Sequence, residues 1–213
     1  MEIIAHRGYW LVEEEKNTVL AFERALNAGF GIETDLRDFC GSIVVSHDLP
    51  NESSISFEAL LKLYARSPDH MSLKPTLALN IKSDGLTPLV SQLLKRYKVA
   101  KYFVFDMSVP DSLSYINAGL KTFTRQSEFE LYPPLYEECD GVWLDSFSKT
   151  WYSEDVLTSH VEAGKRLCIV SPELHKRNDA VNEQWIMLRG YRYRGDLSLC
   201  TDFPSDAREF FNA

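Results

Sequence analysis

The chain has 213 residues, 45% of them hydrophobic and 12% aromatic, a composition that predicts a globular protein rather than a disordered one. This length fits one domain with a substantial core. The formal net charge of −8 argues against a nucleic-acid scaffold, because phosphate backbones attract basic surfaces, but a small phosphorylated ligand needs only a few local cations.

Short apolar runs alternate with helix-like segments along the chain. We predict strands at 2–5, 31–36, 42–46, 76–81, 101–105, 120–124, 140–144, 166–170 and 198–201, and helices at 17–28, 56–66, 86–97, 109–117, 153–163, 179–187 and 204–211. Such alternation is typical of a parallel sheet. Nine strands are one too many for an eight-stranded barrel. The run at 42–46 is therefore either the third barrel strand or a hairpin partner of the second.

We favour a single-domain (β/α)8 TIM barrel over a doubly wound open sheet, because reactive side chains follow many strands rather than one glycine-rich loop. No Pro-, Gly- or Ser-rich linker divides the chain, and no apolar stretch approaches the ~20 residues that span a bilayer. Met1-Glu2 leads straight into the first strand, so we predict no signal peptide. Four widely spaced cysteines predict buried, reduced thiols and hence a cytoplasmic protein.

The residues best suited to chemistry begin with a carboxylate pair. Glu33 and Asp35 are one residue apart in a predicted strand, so both side chains point to the same face. Two such carboxylates raise each other's pKa unless a cation lies between them, and oxygen ligands suit Mg²⁺ or Ca²⁺ better than zinc. From the residues alone, a salt-bridge pair with Arg7 or Lys82 is the alternative.

Two histidines, His6 and His47, follow apolar runs on either side of this pair in the sequence. Imidazole takes up or releases a proton near neutral pH, so the two are candidates for a general acid and a general base. The guanidinium of Arg7 suits phosphate oxygens. Asn80 and Lys82 end another apolar run and offer an amide oxygen for a hard cation and an ammonium for a phosphoryl oxygen.

This set of residues resembles the glycerophosphodiester phosphodiesterases, within the wider class of phospholipase-C-like phosphodiesterases. Four family motifs are matched in order, by His6-Arg7-Gly8, by 17–22 (NTVLAF), by Glu33-Thr34-Asp35 and by His47-Asp48. Weaker matches follow at 79–82 and 201–204. The resemblance implies a (β/α)8 barrel whose mouth holds Mg²⁺ or Ca²⁺ on Glu33, Asp35 and Asn80. It also implies acid–base catalysis by His6 and His47, in an order that the sequence does not assign.

The activity implied by the resemblance is metal-dependent hydrolysis of a small-molecule phosphodiester, glycerophosphodiester-like or sugar-containing, in lipid metabolism, with Arg7 and Lys82 binding the phosphate.

The sequence departs from the family pattern at three places. Lys16 stands where the family has Glu, a loss that Glu13, Glu14 or Glu15 is expected to compensate; Asn80 stands where a third acidic ligand is expected; and the segment after Asp48 leaves no room for the family's small insertion. Two alternatives therefore stay open, a non-catalytic binder of a sugar phosphate or phospholipid headgroup and a glycoside hydrolase.

A second polar group follows the predicted strands of the C-terminal half. In a barrel, the ends of these strands share one rim, so its members are candidates for recognising a hydroxylated, sugar-like part of the substrate. A network of rim salt bridges is the alternative, and the sequence assigns no oligomeric state. The members are Arg125, Glu128, Asp145, Glu173 and His175.

Overall fold

The computed structural model describes residues 1–67, 74–192 and 194–213, and it confirms the predicted fold class, a single (β/α)8 TIM barrel of eight parallel strands with interleaved helices. The strands are β1 (Glu2–His6), β2 (Gly31–Phe39), β3 (Ser42–Val45), β4 (Leu77–Ile81), β5 (Tyr102–Phe105), β6 (Phe123–Gln126), β7 (Gly141–Leu144), β8 (Arg166–Val170) and β9 (Leu197–Thr201). The helices are α1 (Val19–Ala28), α2 (Phe57–Arg66), α3 (Thr87–Arg96), α4 (Val109–Asn117), α5 (Glu154–Glu162), α6 (Val181–Leu188) and α7 (Pro204–Asn212).

Contacts divide the chain into two compact units, which we call the N-terminal unit (residues 5–122) and the C-terminal unit (residues 1–4 and 123–213). In the N-terminal unit, β2 pairs in parallel with β4, and β4 pairs in parallel with β5. β3 folds back antiparallel on β2 through a turn at Cys40 and Gly41, whose φ angles of 50° and 77° are both left-handed, as a tight hairpin requires. The run at 42–46 is therefore the hairpin partner and not a barrel strand.

In the C-terminal unit, β6 to β9 form a parallel sheet in chain order. The strand predicted at 120–124 is wrong in its bounds, since β6 begins at Phe123 and continues to Gln126. Arg125 therefore lies within the strand, opposite Trp143, rather than after it. The sequence hides this because Gln126 is polar, yet it is buried with its amide bonded to His160 and to the Leu131 carbonyl.

Capping residues mark the ends of the first two helices. Thr18 and Ser56 cap α1 and α2 by accepting hydrogen bonds from backbone N–H groups one turn on, as their sequence positions predict. α1 ends at Gly29, whose φ of 77° favours glycine.

The core consists of strands buried along their whole length, as parallel strands covered on both faces must be. β4, β5 and β7 have no exposed residue. All four cysteines are free; Cys139, Cys168 and Cys200 are buried, as predicted, whereas Cys40 is exposed. Among the described residues, no helix is long and apolar enough to cross a membrane.

Candidate active site

The carboxylate pair on β2 is the centre of the site. Glu33 and Asp35 are only 2% and 1% exposed. His6, the last residue of β1, places Nε2 3.8 Å from Glu33 Oε2. The next residue, Arg7, places Nε 3.2 Å from Asp35 Oδ2 and donates its backbone N–H to Glu33 Oε2 at 3.3 Å. The first motif and the carboxylate pair, 26 residues apart, thus form one buried cluster.

Lys82 brings a second cation to this cluster from the end of β4. Its Nζ lies 3.6 Å from Asp35 Oδ1 and 3.4 Å from Oδ2 of Asp106, the residue that follows β5. Asp35 therefore has both of the salt-bridge partners that the sequence suggested. Glu33 differs, because its contacts in the described part of the chain are His6 and a backbone amide.

Asn17 is a site residue to which the sequence analysis gave no role, although it lies in the motif at 17–22. Its Nδ2 donates to Asp35 Oδ2 at 2.9 Å, and its Oδ1 accepts from Thr34 Oγ1 at 2.8 Å. The second bond fixes which end of the amide faces the carboxylate. Asn17 therefore orients Asp35.

Three of the seven described non-glycine residues with a left-handed φ lie around the same carboxylate. Arg7, Asn17 and Asp106 have left-handed φ angles of 56°, 59° and 73°, and each contacts Asp35 or Lys82. Such conformations cost about 1–3 kcal/mol per residue outside glycine and persist where the surroundings impose them, often at functional sites. These backbone conformations therefore lower the stability of the fold while they direct the three side chains toward Asp35 and Lys82.

Gly8 is required in the first motif for two reasons. Its φ is 86°, and a Cβ at this position would lie 2.9 Å from the backbone carbon of Ala21 on α1. Gly8 thus lets β1 turn sharply while the chain packs against α1, and Arg7 is directed back onto the carboxylates.

Arg37 holds two site loops by their backbones. Its Nε and Nη2 donate to the His47 carbonyl at 3.1 and 3.0 Å, and its Nη1 donates to the Lys82 carbonyl at 3.3 Å. The His47 imidazole itself is 46% exposed, and its Nδ1 lies 2.9 Å from Asp48 Oδ1. The structure thus joins His6, Arg7, Glu33, Asp35 and Lys82 by side-chain contacts and ties His47 to the same loops through its backbone.

The electrostatics of the pair favour an added positive charge. Burial, and then the neighbouring Asp35, raise the pKa of Glu33 to about 7, although His6, Arg7 and Lys82 act in the opposite direction. With Glu33 ionised, three carboxylates (Glu33, Asp35 and Asp106) face two permanent cations. Among these named contacts, the cluster therefore has a deficit of positive charge once Glu33 is ionised, above about pH 7.

Asn80 supplies an oxygen that fits this deficit. It lies opposite Asp35 in the parallel register of β2 and β4, so both side chains are on one face. Its Oδ1 is buried and has no hydrogen-bond partner among the described residues. Two buried carboxylates and an orphaned amide oxygen are a donor set that suits a hard divalent cation. The described residues contain no group of three or more His, Cys, Asp or Glu side chains that could hold a metal ion, so the set depends on the amide of Asn80.

The structure gives other partners to two of the glutamates that were expected to replace the acidic residue lost at position 16. Glu15 pairs with Arg24, Nη1 to Oε2 at 2.8 Å, and Glu13 is exposed and lies 3.5 Å from the Lys16 Nζ. Lys16 itself lies 4.3 Å above the ring of Trp10, whose Nε1 donates to the His6 carbonyl. This position thus carries a cation beside the first motif, without a substitute carboxylate.

The C-terminal unit brings together only part of the second polar group. Oδ1 of the buried Asp145 accepts a hydrogen bond from His175 Nε2 at 2.6 Å. Glu173 is buried and accepts from Thr201 Oγ1 and the Asp202 amide.

Arg125 and Glu128 instead brace local structure. Arg125 pairs with Glu130 at 2.5 Å, and Glu128 accepts from the backbone amides of Phe147 and Ser148. The pairs Arg125–Glu130 and Asp145–His175 match the salt-bridge alternative, whereas Glu128 binds backbone amides. Recognition of the substrate by the five residues stays a prediction.

Comparisons with known proteins agree with this architecture. No family model and no curated protein sequence matches the chain. Solved structures nevertheless share its fold over nearly the whole chain, and they include glycerophosphodiester phosphodiesterases, so the resemblance inferred from the motifs is confirmed at the level of the fold.

Three of these structures cover 99% of this chain. The glycerophosphodiester phosphodiesterase from Agrobacterium tumefaciens strain C58 is 14% identical over 98% of its own length, with a TM-score of 0.66. The glycerophosphoryl diester phosphodiesterase from Parabacteroides distasonis ATCC 8503 is 16% identical over 86% of its length, with a TM-score of 0.70. The Ca²⁺-dependent phosphatidylinositol-specific phospholipase C from Streptomyces antibioticus is 12% identical over 95% of its length, with a TM-score of 0.56.

Proposed function

We propose that this chain is a metal-dependent phosphodiesterase that uses His6 and His47 as general acid and base. The observation that carries the proposal is the buried contact network in which His6, Arg7 and Lys82 meet the Glu33–Asp35 pair. The similar solved structures, two phosphodiesterases and a phospholipase C, support the same reaction class.

Glu33, Asp35 and Asn80 would hold the divalent cation, and the Ca²⁺ dependence of the Streptomyces enzyme supports Ca²⁺ beside Mg²⁺ as the ion. When bound, the ion polarises the phosphoryl group and lowers the pKa of the attacking hydroxyl. Arg7 and Lys82 would place cationic N–H groups against the non-bridging oxygens, where negative charge builds up in the transition state. Asn17 and Arg37 act through other residues, the first by orienting Asp35 and the second by fixing the His47 and Lys82 loops.

The reaction then needs two proton transfers. One histidine takes the proton from a neighbouring hydroxyl of the substrate as its oxygen bonds to phosphorus, and the other gives a proton to the alcohol oxygen as its bond to phosphorus breaks. The product is a cyclic phosphate, which water opens with the two histidines in exchanged roles. His6 is held near Glu33 and His47 near Asp48, so the imidazoles have different surroundings in which to perform these roles.

The most direct experiment is hydrolysis of a phosphodiester panel by the purified protein, with and without a chelator. Glycerophosphocholine, glycerophosphoinositol, lysophospholipids and sugar phosphodiesters cover the alcohol groups that the fold class suggests. We expect turnover of at least one of them, with loss of turnover after chelation and recovery on adding Mg²⁺ or Ca²⁺. Turnover that is insensitive to chelation would contradict the assigned cation.

Replacing either histidine tests the acid–base assignment. We expect His6→Ala and His47→Ala each to reduce kcat by at least about 10²–10⁴-fold, since each removes one proton-transfer group. Circular dichroism and urea unfolding serve as controls that both variants keep the fold. Wild-type rates in a folded variant would reject the assignment of that histidine.

A non-catalytic binder of a sugar phosphate or phospholipid headgroup is the second candidate. The observation that favours it is Asp35, whose oxygens already contact Arg7, Asn17 and Lys82. Isothermal calorimetry with Mg²⁺ and Ca²⁺ separates the two candidates, because a binder that has lost catalysis should take up neither ion, whereas a phosphodiesterase should bind one of them.

The remaining proposals concern the whole chain. The connection from β3 to α2, residues 46–56, contains no helix and no strand of its own, which supports a barrel domain without the family's small insertion. Three buried free thiols support a protein that works in a reducing compartment such as the cytoplasm. The candidates for recognising the alcohol part of the substrate remain Arg125, Glu128, Asp145, Glu173 and His175.

A further inference from the structure

Helices α6 and α7 of the C-terminal unit border a cleft of about 660 Å³. Residues three or four apart on each helix line the cleft, so one face of each helix is turned toward it. A volume between about 300 and 1,000 Å³ is typical of sites that hold a small organic molecule. None of the lining residues belongs to the candidate active site, so occupancy of this cleft does not depend on the proposed function.

Aromatic rings form a wall of the cleft. The ring centroids of Trp185 and Phe210 are 5.6 Å apart, and Phe203 also lines the cleft. Trp185 is only 5% exposed, and its indole Nε1 donates to Ser171 Oγ at 3.0 Å. This hydrogen bond fixes the orientation of the indole, so the wall is formed before any ligand binds.

The wall already holds one cation that belongs to the protein itself. The guanidinium carbon of Arg189 lies 5.3 Å from the centroid of the Phe210 ring. An aromatic ring attracts a cation because its faces carry partial negative charge. The rings of this cleft therefore favour a positively charged ligand over a negatively charged one.

Carboxylates on α7 give the cleft an excess of negative charge. Asp206 and Glu209 both line it, are exposed, and lie about one helical turn apart. Neither carboxylate has a salt-bridge partner in the part of the chain that the structure describes. Arg189 is the cation of the lining set, so two negative charges and one positive charge leave an excess of one negative charge.

We propose that the cleft between α6 and α7 binds a small organic cation with an aromatic body. The body packs against Trp185, Phe203 and Phe210, and the cationic group lies near Asp206 and Glu209. Burial of the body supplies the affinity, and the two carboxylates supply the selection for positive charge. An anionic ligand of the same shape would face both carboxylates and would bind more weakly.

Three probes that share a phenyl ring separate the contributions of body and charge. They are phenethylamine, a cation at pH 7, neutral 2-phenylethanol and anionic 3-phenylpropionate. We expect phenethylamine to bind with a Kd on the order of 1 mM, as a ligand of its size allows, and about tenfold more tightly than the alcohol. The carboxylate should bind most weakly. Equal affinity for the three probes, or a preference for the carboxylate, would overturn the proposal.

The indole N–H of Trp185 reports on the cleft in ¹H–¹⁵N NMR spectra, and Trp185→Phe identifies its signal by deletion. Phenethylamine should shift this signal and leave those of the other three tryptophans, Trp10, Trp143 and Trp151, unchanged. No shift at about tenfold the expected Kd would contradict binding in the cleft. A shift with protein concentration alone would also contradict it, because a second copy of the chain would then cover the cleft.

The double variant Asp206→Asn, Glu209→Gln tests the selection for charge. It should weaken phenethylamine binding about tenfold and leave the affinity for 2-phenylethanol unchanged. The matched control is Asp179→Asn, Glu183→Gln, which removes two exposed carboxylates that do not line the cleft and so changes the net charge equally.

The control pair should bind all three probes as the wild type does. An equal loss of phenethylamine affinity in both double variants would overturn the proposal, because the net charge of the chain would then explain the binding. Circular dichroism of every variant checks that the fold is retained. Added salt should reduce the preference of the wild type for phenethylamine over 2-phenylethanol, since the two carboxylates are exposed.

Discussion

At the scale of single residues, Glu33 and Asp35 show how burial separates the roles of two adjacent carboxylates. Asp35 is within 3.6 Å of the side-chain nitrogens of both Arg7 and Lys82, whereas Glu33 has a pKa raised to about 7 by burial and by Asp35. Glu33 is therefore the carboxylate whose ionisation a further cation would favour more. Arg7 and Lys82 place side-chain nitrogens beside Asp35, whereas Glu33 is contacted by His6 and a backbone amide.

This difference predicts how cation binding depends on pH. A raised pKa means that Glu33 holds a proton below about pH 7 and must release it when a divalent cation binds. We expect Mg²⁺ or Ca²⁺ affinity, measured by calorimetry, to be constant above pH 7 and to fall by about tenfold per pH unit below it. Glu33→Gln should bind the ion weakly and without this dependence. Affinity that stays constant from pH 5.5 to 8.5 would contradict the role of Glu33.

Gly8 allows a test of the turn that aims Arg7. Gly8→Ala should lower the free energy of unfolding by about 2–4 kcal/mol, because it adds both a left-handed alanine and a clash with Ala21. Gly41→Ala is the matched control, since Gly41 has a φ of 77° and open space around it, and it should cost about 1–2 kcal/mol. Urea unfolding measures both, and equal losses would show that the approach to α1 is unimportant.

Three site residues escaped the sequence analysis for different reasons. Asp106 follows the apolar run 101–105 in the same way as Lys82 follows its own, so the rule that found Lys82 also points to Asp106. Arg37 continues the alternation of Glu33 and Asp35 on one face of β2. Asn17 was visible only as part of a motif, because its contact with Asp35 depends on a left-handed backbone that no local pattern predicts.

At the scale of elements, the sequence predicts the hydrophobic strands well and the polar strand ends poorly. β4 and β5 are apolar and buried, and their predicted bounds are within one residue of the observed ones. β6 was misplaced because Arg125 and Gln126 look like loop residues. Whether such polar residues lie in a strand depends on partners that are distant in the sequence. Gln126 is buried and forms a hydrogen bond with His160, 34 residues away, and no periodicity in the sequence predicts that bond.

The connection after β6 yields a prediction about stability and pH. Burial tends to raise the pKa of Glu128, but hydrogen bonds from Ser148 and Phe147 outweigh it and lower the pKa to about 2. A lowered pKa stabilises the folded protein above the ordinary value of 4.5, and this stabilisation is lost as the pH falls toward 2. Glu128→Gln should therefore cost about 1–2 kcal/mol at pH 7, and the cost should shrink below pH 4.5.

Chemical denaturation of Glu128→Gln and the wild type at several pH values measures this difference. Glu14→Gln, a change at an exposed residue, is the control and should leave stability unchanged at each pH. A cost for Glu128→Gln that is the same at pH 3 and pH 7 would show that the charge of Glu128 does not matter for holding the 147–148 backbone.

At the scale of the whole molecule, the sequence predicts the fold class because strand and helix periods alternate consistently along the chain. It also predicts that His6, Arg7 and Lys82 meet the carboxylate pair, because His6 ends β1 and the other two directly follow β1 and β4. It cannot predict their charge balance. That balance depends on burial and on the ion pair of Lys82 with Asp106, which arises only in three dimensions.

The hairpin of β2 and β3 carries an experimental opportunity. β2 continues past Asp35 to Phe39, and Cys40 lies in the turn that follows. Its thiol is exposed, whereas the other three cysteines are buried. A maleimide dye should therefore label the native protein at one position, at most roughly 16 Å along the strand from Asp35. An environment-sensitive fluorophore attached there would report in real time, without mutagenesis, when a ligand or partner changes the surroundings of this hairpin.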